Sequence, residues 1–160
     1  ERLSKVKLPP GQEGSNWGWN SHYWRNLGAA WGGMFSTVED LTHFLKMLLN
    51  GGEFQGKRIF SRSAAETMIR DQTSLMPLVP NEQKVMMRGG LGWRLAPSSC
   101  WGFFGDFLSP GSFGHGGATG TVFWADPKRD ATSALLTTQP SIWSKSLLDK
   151  ASNLAIACVD

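Results

Sequence analysis

Residues 112–127 read SFGHGGATGTVFWADP, and the other elements of the chain can be placed around this stretch. Four glycines fall among its first nine residues, so another molecule can approach the backbone N–H groups closely. The run continues as the β-branched and aromatic segment 121–124, stops at Asp126-Pro127, and resumes as the strand-like segment 131–138. The pattern predicts an antiparallel hairpin with its turn at residues 128–130. The glycine-rich part is either accessible to a ligand or a tight bend packed against a neighbour.

A second pattern, in residues 32–52, indicates an amphipathic helix of about twelve residues. Ser36 is a candidate N-cap, with Glu39 closing a capping box, and Asn50-Gly51-Gly52 ends the helix through a left-handed C-cap. One helical face collects the apolar side chains Val38, Leu41, Phe44, Leu45, Leu48 and Leu49.

Two further helices and a loop are predicted on either side of the glycine-rich stretch. Ser61 or Ser63 caps a helix that continues to about Arg70, and residues 72–88 form a Pro- and Met-bearing loop. Apolar residues recur with helical spacing over residues 141–159 and predict a final helix. The strands are expected at about 90–97, 112–125 and 131–138, which gives an α+β fold, an antiparallel sheet flanked by helices.

Residues 1–33 contain too many Gly and Pro residues for long regular elements and are predicted to be loop-rich. Their rings are expected to pack on the body of the protein instead of lining a cleft, because loops without regular hydrogen bonds usually need such anchors. The aromatic loop at 97–110 is either a wall on the substrate side or a self-packed loop. The rings of the N-terminal segment are Trp17, Trp19, Tyr23, Trp24 and Trp31.

Composition excludes several classes of function. The 160 residues are 41% hydrophobic and 18% charged, which is ordinary for a globular domain. The net charge of +3 comes from scattered residues, so we expect no nucleic-acid partner. Cys100 and Cys158 lack the spacing of a zinc site, and their count is compatible with one disulfide or two thiols. We therefore predict no metal and no cofactor. We also predict no membrane span, since no apolar run approaches about 20 residues.

The sequences of two segments resemble motifs of the serine β-lactamase and penicillin-binding-protein superfamily. The resemblance is to its branch of class C β-lactamases, esterases and DD-peptidases. FGHGGATGT followed by an apolar strand and Asp-Pro is similar to that family's third active-site element, where Lys-Thr-Gly or His-x-Gly lies on the strand that edges the catalytic cleft. GGMFSTVEDL through LNGGEFQGKRI is similar to a stretch that recurs upstream of that element. Two matches in the right order are more specific than either alone.

The resemblance implies roles for four residues. His115 takes the first position of the His-x-Gly motif, Gly116 and Gly117 line the substrate, and the backbone N–H of Ala118 is one of two oxyanion-hole donors. Such a donor must be fixed beforehand where the carbonyl oxygen gains charge, and losing one typically costs about 3 kcal/mol of barrier. The alternative for His115 is a strand histidine bonded to a neighbour.

The family's nucleophile and proton-shuttle motifs are not recognisable in their family context. The family nucleophile lies in Ser-x-x-Lys at the start of an all-helical lobe, whereas Ser63 is followed three residues later by Glu66. Ser4 and Lys7 have the spacing of the motif but lie in the loop-rich segment 1–33. Tyr23 is followed by Trp24-Arg25 and does not match Tyr-x-Asn. We therefore expect a C-terminal part of a β-lactamase-like catalytic domain, inactive alone, that needs its N-terminal half or self-association. The parts would be 1–33 (loop-rich), 34–88 (helices and loop), 89–139 (strands) and 141–159 (helix).

The function that the resemblance implies is hydrolysis of ester, amide or β-lactam carbonyls of small molecules through an acyl-enzyme. A non-catalytic binding or regulatory module that keeps the fold is the alternative. The family implies a periplasmic or secreted location, and the sequence by itself indicates none.

Overall fold

A computed structural model describes residues 3–97 and 104–159 and contains helices and two antiparallel sheets. The first part of the chain forms α1 (His22–Asn26), α2 (Val38–Leu49), β1 (Glu53–Phe54), β2 (Lys57–Arg58) and α3 (Arg62–Ile69). A 3₁₀ turn (Thr73–Leu75) and α4 (Asn81–Met86) follow, then β3 (Arg94–Leu95), β4 (Phe113–Gly117), β5 (Thr121–Asp126), β6 (Ala131–Leu136) and α5 (Ser141–Ala157). None of the helices in these residues is long and apolar enough to cross a membrane.

The main sheet has four strands in the order β3-β4-β5-β6, so the predicted α+β class and the β5–β6 hairpin are confirmed. The prediction of one strand over 112–125 is wrong, because the chain reverses between Gly117 and Thr121. The Gly120 N–H donates to the Gly117 carbonyl at 3.0 Å, and Gly120 has a φ of +83° that favours glycine. The predicted strands 90–97 and 131–138 are shorter, at 94–95 and 131–136.

Two hydrophobic cores cover the two faces of this sheet. On one face α2 and α3 pack on the strands, with Leu45, Leu48 and Phe113 almost fully buried. On the other face α5 packs on Val122 and Trp124 through Leu148 and Ile156. The predicted C-terminal helix is therefore confirmed, although it ends at Ala157.

The predicted central helix has the expected length but a different N-cap. Thr37, and not Ser36, precedes the first turn, and its hydroxyl oxygen accepts from the Asp40 N–H at 3.1 Å. Both residues can cap, and the position at which the chain turns into the helix decides between them. The left-handed C-cap is confirmed by φ values of +61° at Gly51 and +91° at Gly52. The N-cap of α3 is Ser61, which resolves the alternative with Ser63.

Residues 72–88 are not the plain loop that was predicted, since they contain the 3₁₀ turn and α4. Their ends are held together: the Gln72 N–H donates to the Gly89 carbonyl at 2.8 Å, and Arg88 forms an ion pair with Asp71 at 3.2 Å. The segment 72–88 is therefore a partly helical excursion whose two ends are joined by hydrogen bonding and an ion pair. Its tip carries Leu78, whose side chain is 95% exposed.

The prediction that the N-terminal rings pack on the body is wrong for part of the set. Trp31 is 78% exposed and Trp17 is 57% exposed. Trp17 packs instead on its neighbours, with ring centroids 5.3 Å from Tyr23 and 6.4 Å from Trp24. Local ring packing around the short α1 thus replaces anchoring on the sheet. In the aromatic loop 97–110, Phe104 is buried against α5 and Phe107 is exposed. Cys100, Trp101 and Phe103 of this loop lie outside the described residues.

Candidate active site

The candidate site is the part of β4 that continues beyond the end of its neighbour. β3 pairs only with the start of β4, through Leu95 with Phe113 and Arg94 with Gly114. On that side the Ser112 carbonyl accepts from the Ala96 N–H at 2.8 Å. Backbone groups of alternate residues point the same way along a strand, so those of Gly116 also point to the β3 side. Among the described residues no strand pairs with Gly116 there.

The exposed side chain of His115 projects from one face of the sheet, beside this free edge. Its Nδ1 lies 2.7 Å from the Gly116 carbonyl oxygen. A carbonyl can only accept, so Nδ1 carries the proton in this contact and Nε2 of the neutral ring keeps its lone pair. The local hydrogen bond therefore selects one tautomer and directs the basic nitrogen away from the strand.

Close packing explains why β4 is rich in glycine. A Cβ at Gly114 would lie 2.4 Å from the Phe123 carbonyl oxygen, and a Cβ at Gly117 would lie 2.3 Å from the Thr121 hydroxyl. A side chain at Gly114 would require the β5 backbone to shift, whereas one at Gly117 would require the Thr121 side chain to move. At Gly114 the glycine therefore serves close packing against β5, one of the two alternatives for this stretch, and ligand access beside His115 stays a prediction.

Ala118 begins the turn that follows β4 and is exposed. Its carbonyl accepts from the Ser141 N–H at 3.0 Å, which ties the turn to the start of α5. The Gly120 carbonyl on the same turn accepts from the Thr137 hydroxyl at 2.6 Å. Within residues 3–97 and 104–159 the Ala118 N–H has no hydrogen-bond acceptor. The turn is therefore held from two sides and presents a donor that an oxyanion could use.

Asp126 holds the loop before β4 in place at the other end of the hairpin. Its carboxylate is fully buried and accepts from the Ser109 N–H at 2.9 Å and from an Arg129 guanidinium nitrogen at 3.1 Å. Burial alone would raise the pKa of Asp126, but the hydrogen bonds from Ser109 and Arg129 outweigh it and the pKa lies below the ordinary 3.8. Arg129 also donates to the Ser109 hydroxyl at 2.8 Å, so the three residues form one network.

The hairpin register adds two residues that the sequence did not single out. Phe123 is the cross-strand partner of His115, and Thr121 is the partner of Gly117. Both side chains line a cavity of about 270 Å³ on the His115 face of the sheet. These two residues can be identified only from the pairing of β4 with β5. That pairing depends on the turn at residues 118–120, which the sequence did not predict.

The structure brings His115, Gly116, Gly117 and Ala118 together on one strand and its turn, as adjacent residues must be. Another histidine, His43, is a partly buried residue of α2, and its ring centroid lies 4.9 Å from that of Phe54. In the described ranges no group of three His, Cys, Asp or Glu side chains could hold a metal ion.

Comparison with known proteins gives consistent relatives. A protein of Escherichia coli (strain K12) named "Putative D-alanyl-D-alanine carboxypeptidase" is 33% identical over 109 residues, which are 68% of this chain and 23% of that protein. A protein of the same name from Salmonella gallinarum is 29% identical over 120 residues, or 73% of this chain and 25% of the relative. The chain thus spans about a quarter of the length of these curated relatives.

Two solved structures share the fold. A beta-lactamase from Mycobacterium bovis superposes with a TM-score of 0.58 at 25% identity, over 78% of this chain and 44% of that one. A penicillin-binding protein homologue from Caulobacter crescentus gives a TM-score of 0.53 at 19% identity, over 75% of this chain and 32% of that one. The family model described as Beta-lactamase matches residues 3–155. With nearly the whole chain covered by that match, this protein belongs to the beta-lactamase family.

Proposed function

We propose that this chain is the C-terminal part of a serine hydrolase that cleaves ester, amide or β-lactam carbonyls through an acyl-enzyme. Family membership supports a serine-hydrolase fold, and β-lactams or peptides are the small-molecule substrates that the family suggests. The observation that carries the proposal is the free edge of β4, where His115-Gly116-Gly117 extends past β3 and leads into the fixed turn at Ala118.

In this proposal the substrate carbonyl lies against the turn, with its oxygen facing the Ala118 N–H. A serine hydroxyl attacks the carbonyl carbon, its proton passes to a base, and the oxygen gains negative charge that the N–H stabilises. The bond to the alcohol or amine then breaks, and the leaving group takes the proton. Water repeats the sequence on the acyl-enzyme and releases the acid and the free serine.

His115 acts beside the reacting centre and not as the nucleophile's first base. Its Nε2 faces away from β4 and can accept a hydrogen bond from the substrate or from a catalytic hydroxyl. Gly116 contributes backbone groups on the open side of the strand, where an extended substrate can pair with them. Gly117 supports the close approach of that substrate.

The nucleophile itself is expected outside residues 1–160. Ser4 is the one serine followed by lysine at the third position, Lys7, but it lies outside any helix, whereas the family motif is expected at the start of a helical lobe. Labelling with a fluorophosphonate, followed by intact mass and peptide mapping, tests this. The 160-residue chain should remain unlabelled. The product of the full reading frame should take up one label, on a Ser-x-x-Lys serine outside residues 1–160. A stoichiometric adduct on a serine of residues 1–160, or a full reading frame without that motif, would contradict the proposal.

A further inference from the structure

The cavity of about 270 Å³ next to the hairpin turn has no role in the steps above. Its floor is formed by Thr121 and Phe123 of β5 and Leu136 of β6. Its opposite wall comes from Trp19 and Trp24 of the N-terminal aromatic segment. Residues just before α2 close the third side. The walls therefore come from distant parts of the sequence that the fold assembles.

The cavity is adjacent to the candidate active site. Thr121 is paired with Gly117 and Phe123 with His115, so their side chains share the His115 face of the sheet. Paired residues of neighbouring antiparallel strands lie within about 5.5 Å of each other. Thr119, which also lines the cavity, directly follows Ala118. A carbonyl bound at the Ala118 N–H could therefore extend its substituent into this space.

The walls suit a mainly apolar group. The large surfaces are aromatic and aliphatic side chains, including Trp19, Trp24 and Leu136. Polar side chains contribute the rest of the lining: Ser4, Arg25, Ser36, Thr119, Thr121, Thr137 and Thr138. At about 30 Å³ for each group of water or methylene size, the volume holds roughly nine such groups. Phe35 is 48% exposed and Leu136 36% exposed, so the cavity is open and a ligand would remove apolar surface from water.

We propose that this cavity binds the acyl chain of the substrate, and that the enzyme prefers carbonyl compounds with an unbranched acyl group of about six to nine carbons. The inference rests on the proposed function, since it assumes that the carbonyl is held at Ala118. It adds the substrate class, a medium-chain acyl ester or amide. Another polypeptide segment in the same cavity is the competing occupant.

The test uses the product of the full reading frame and 4-nitrophenyl esters from acetate to dodecanoate. The value of kcat/KM should rise to a maximum near octanoate and fall for longer chains. Leu136→Trp fills the cavity and should lower kcat/KM for the octanoate ester at least about tenfold more than kcat/KM for the acetate ester. Leu154→Trp is the matched control, because Leu154 is 69% exposed on α5 and does not line the cavity.

The outcomes separate this inference from the proposed function. Hydrolysis that depends on His115 but not on acyl length would overturn the cavity assignment and leave the function standing. If no ester is hydrolysed and no serine takes up the fluorophosphonate label, the proposed function fails, and calorimetry with the uncharged octanamide still decides about the cavity. Binding by wild type that is lost in Leu136→Trp supports the assignment, and no binding by wild type overturns it. Binding only by the 160-residue chain would mean that a polypeptide segment fills the cavity, which also overturns it.

Discussion

His115 combines an exposed ring with one very local hydrogen bond. Because the acceptor is the carbonyl of the next residue, the contact orients the ring without tying it to the core. A side chain of this kind contributes little to folding, whereas its free Nε2 is available for chemistry. A substitution at His115 can therefore test the proposed chemical role separately from any contribution to folding.

Replacing His115 by Ala should lower the kcat/KM of the full-length enzyme on a short-chain ester by at least about tenfold, because an interaction made in the transition state is lost. The melting temperature should remain nearly unchanged. Steady-state kinetics and thermal unfolding measure the two quantities on the same samples.

His22→Ala serves as the control, since His22 is an exposed histidine on α1. This variant should retain full activity. Full activity of His115→Ala together with a large drop in melting temperature would identify His115 as a structural strand histidine.

At the scale of elements, the hairpin that carries the site is held at both ends. The Ala118 turn is bonded to Ser141 of α5, and the Asp126 network bonds the opposite end to the loop before β4. Asn153 of α5 supports that loop, since its side-chain oxygen accepts from the Asp106 N–H at 2.8 Å. The fixed position of the hairpin thus depends on contacts outside the sheet.

Asp126→Asn should destabilise the protein by about 2 kcal/mol at neutral pH, because hydrogen bonds to a charged, buried acceptor are weakened. The pKa of Asp126 is lower in the folded protein than the ordinary 3.8. The carboxylate therefore contributes its full stabilisation above about pH 4 and loses it as the pH falls through the folded pKa.

Denaturant unfolding between pH 7 and pH 2.5 measures this difference in the free energy of unfolding. The gap between wild type and Asp126→Asn should be constant from pH 7 to 5 and shrink below pH 4. The exposed Asp130 supplies the control, and Asp130→Asn should change little at any of these pH values. A gap for Asp126→Asn that persists unchanged at pH 2.5 would rule out a role for its charge.

Local patterns predicted the elements well where the signal lies in neighbouring residues. The helix at Val38–Leu49 and the β5–β6 hairpin follow from apolar spacing and turn residues. The turn at residues 118–120 was not predicted, because β-branched Thr119 and Thr121 favour a strand and the pattern predicts one continuous strand over residues 112–125. Its reversal depends on Gly120 bonding to Thr137, a contact between distant residues. The cavity could not be predicted for the same reason, since residues as far apart as Leu3 and Thr138 line it.

At the scale of the whole molecule, α5 is apolar on two sides. Leu148 and Ile156 face the sheet, while Ile142 and Leu154 are 68% and 69% exposed. β6 lies at the end of the sheet order, so within the described residues its outer edge has no paired strand. An uncovered strand edge next to an apolar helix face favours association.

We therefore predict that the 160-residue chain self-associates in solution. Light scattering at increasing concentration should give a mass above the 17.6 kDa of one chain, and a hydrophobic dye should bind. Leu154→Glu should shift the distribution towards monomers, because a charge on the apolar face opposes its burial. A monodisperse 17.6 kDa species that binds no dye would show that the fold closes on itself.

The joined ends of the excursion 72–88 have a consequence for how this protein can change over evolution. Gln72 and Gly89 are joined by a hydrogen bond, so the sheet and α3 do not depend on how many residues lie between them. The entropy of closing a loop rises by only about 0.6 kcal/mol for each doubling of its length. Insertions and deletions can accumulate at this place while β4 keeps its geometry. The same independence makes Leu78, at the outer tip, a suitable place for a spectroscopic label that leaves the hairpin undisturbed.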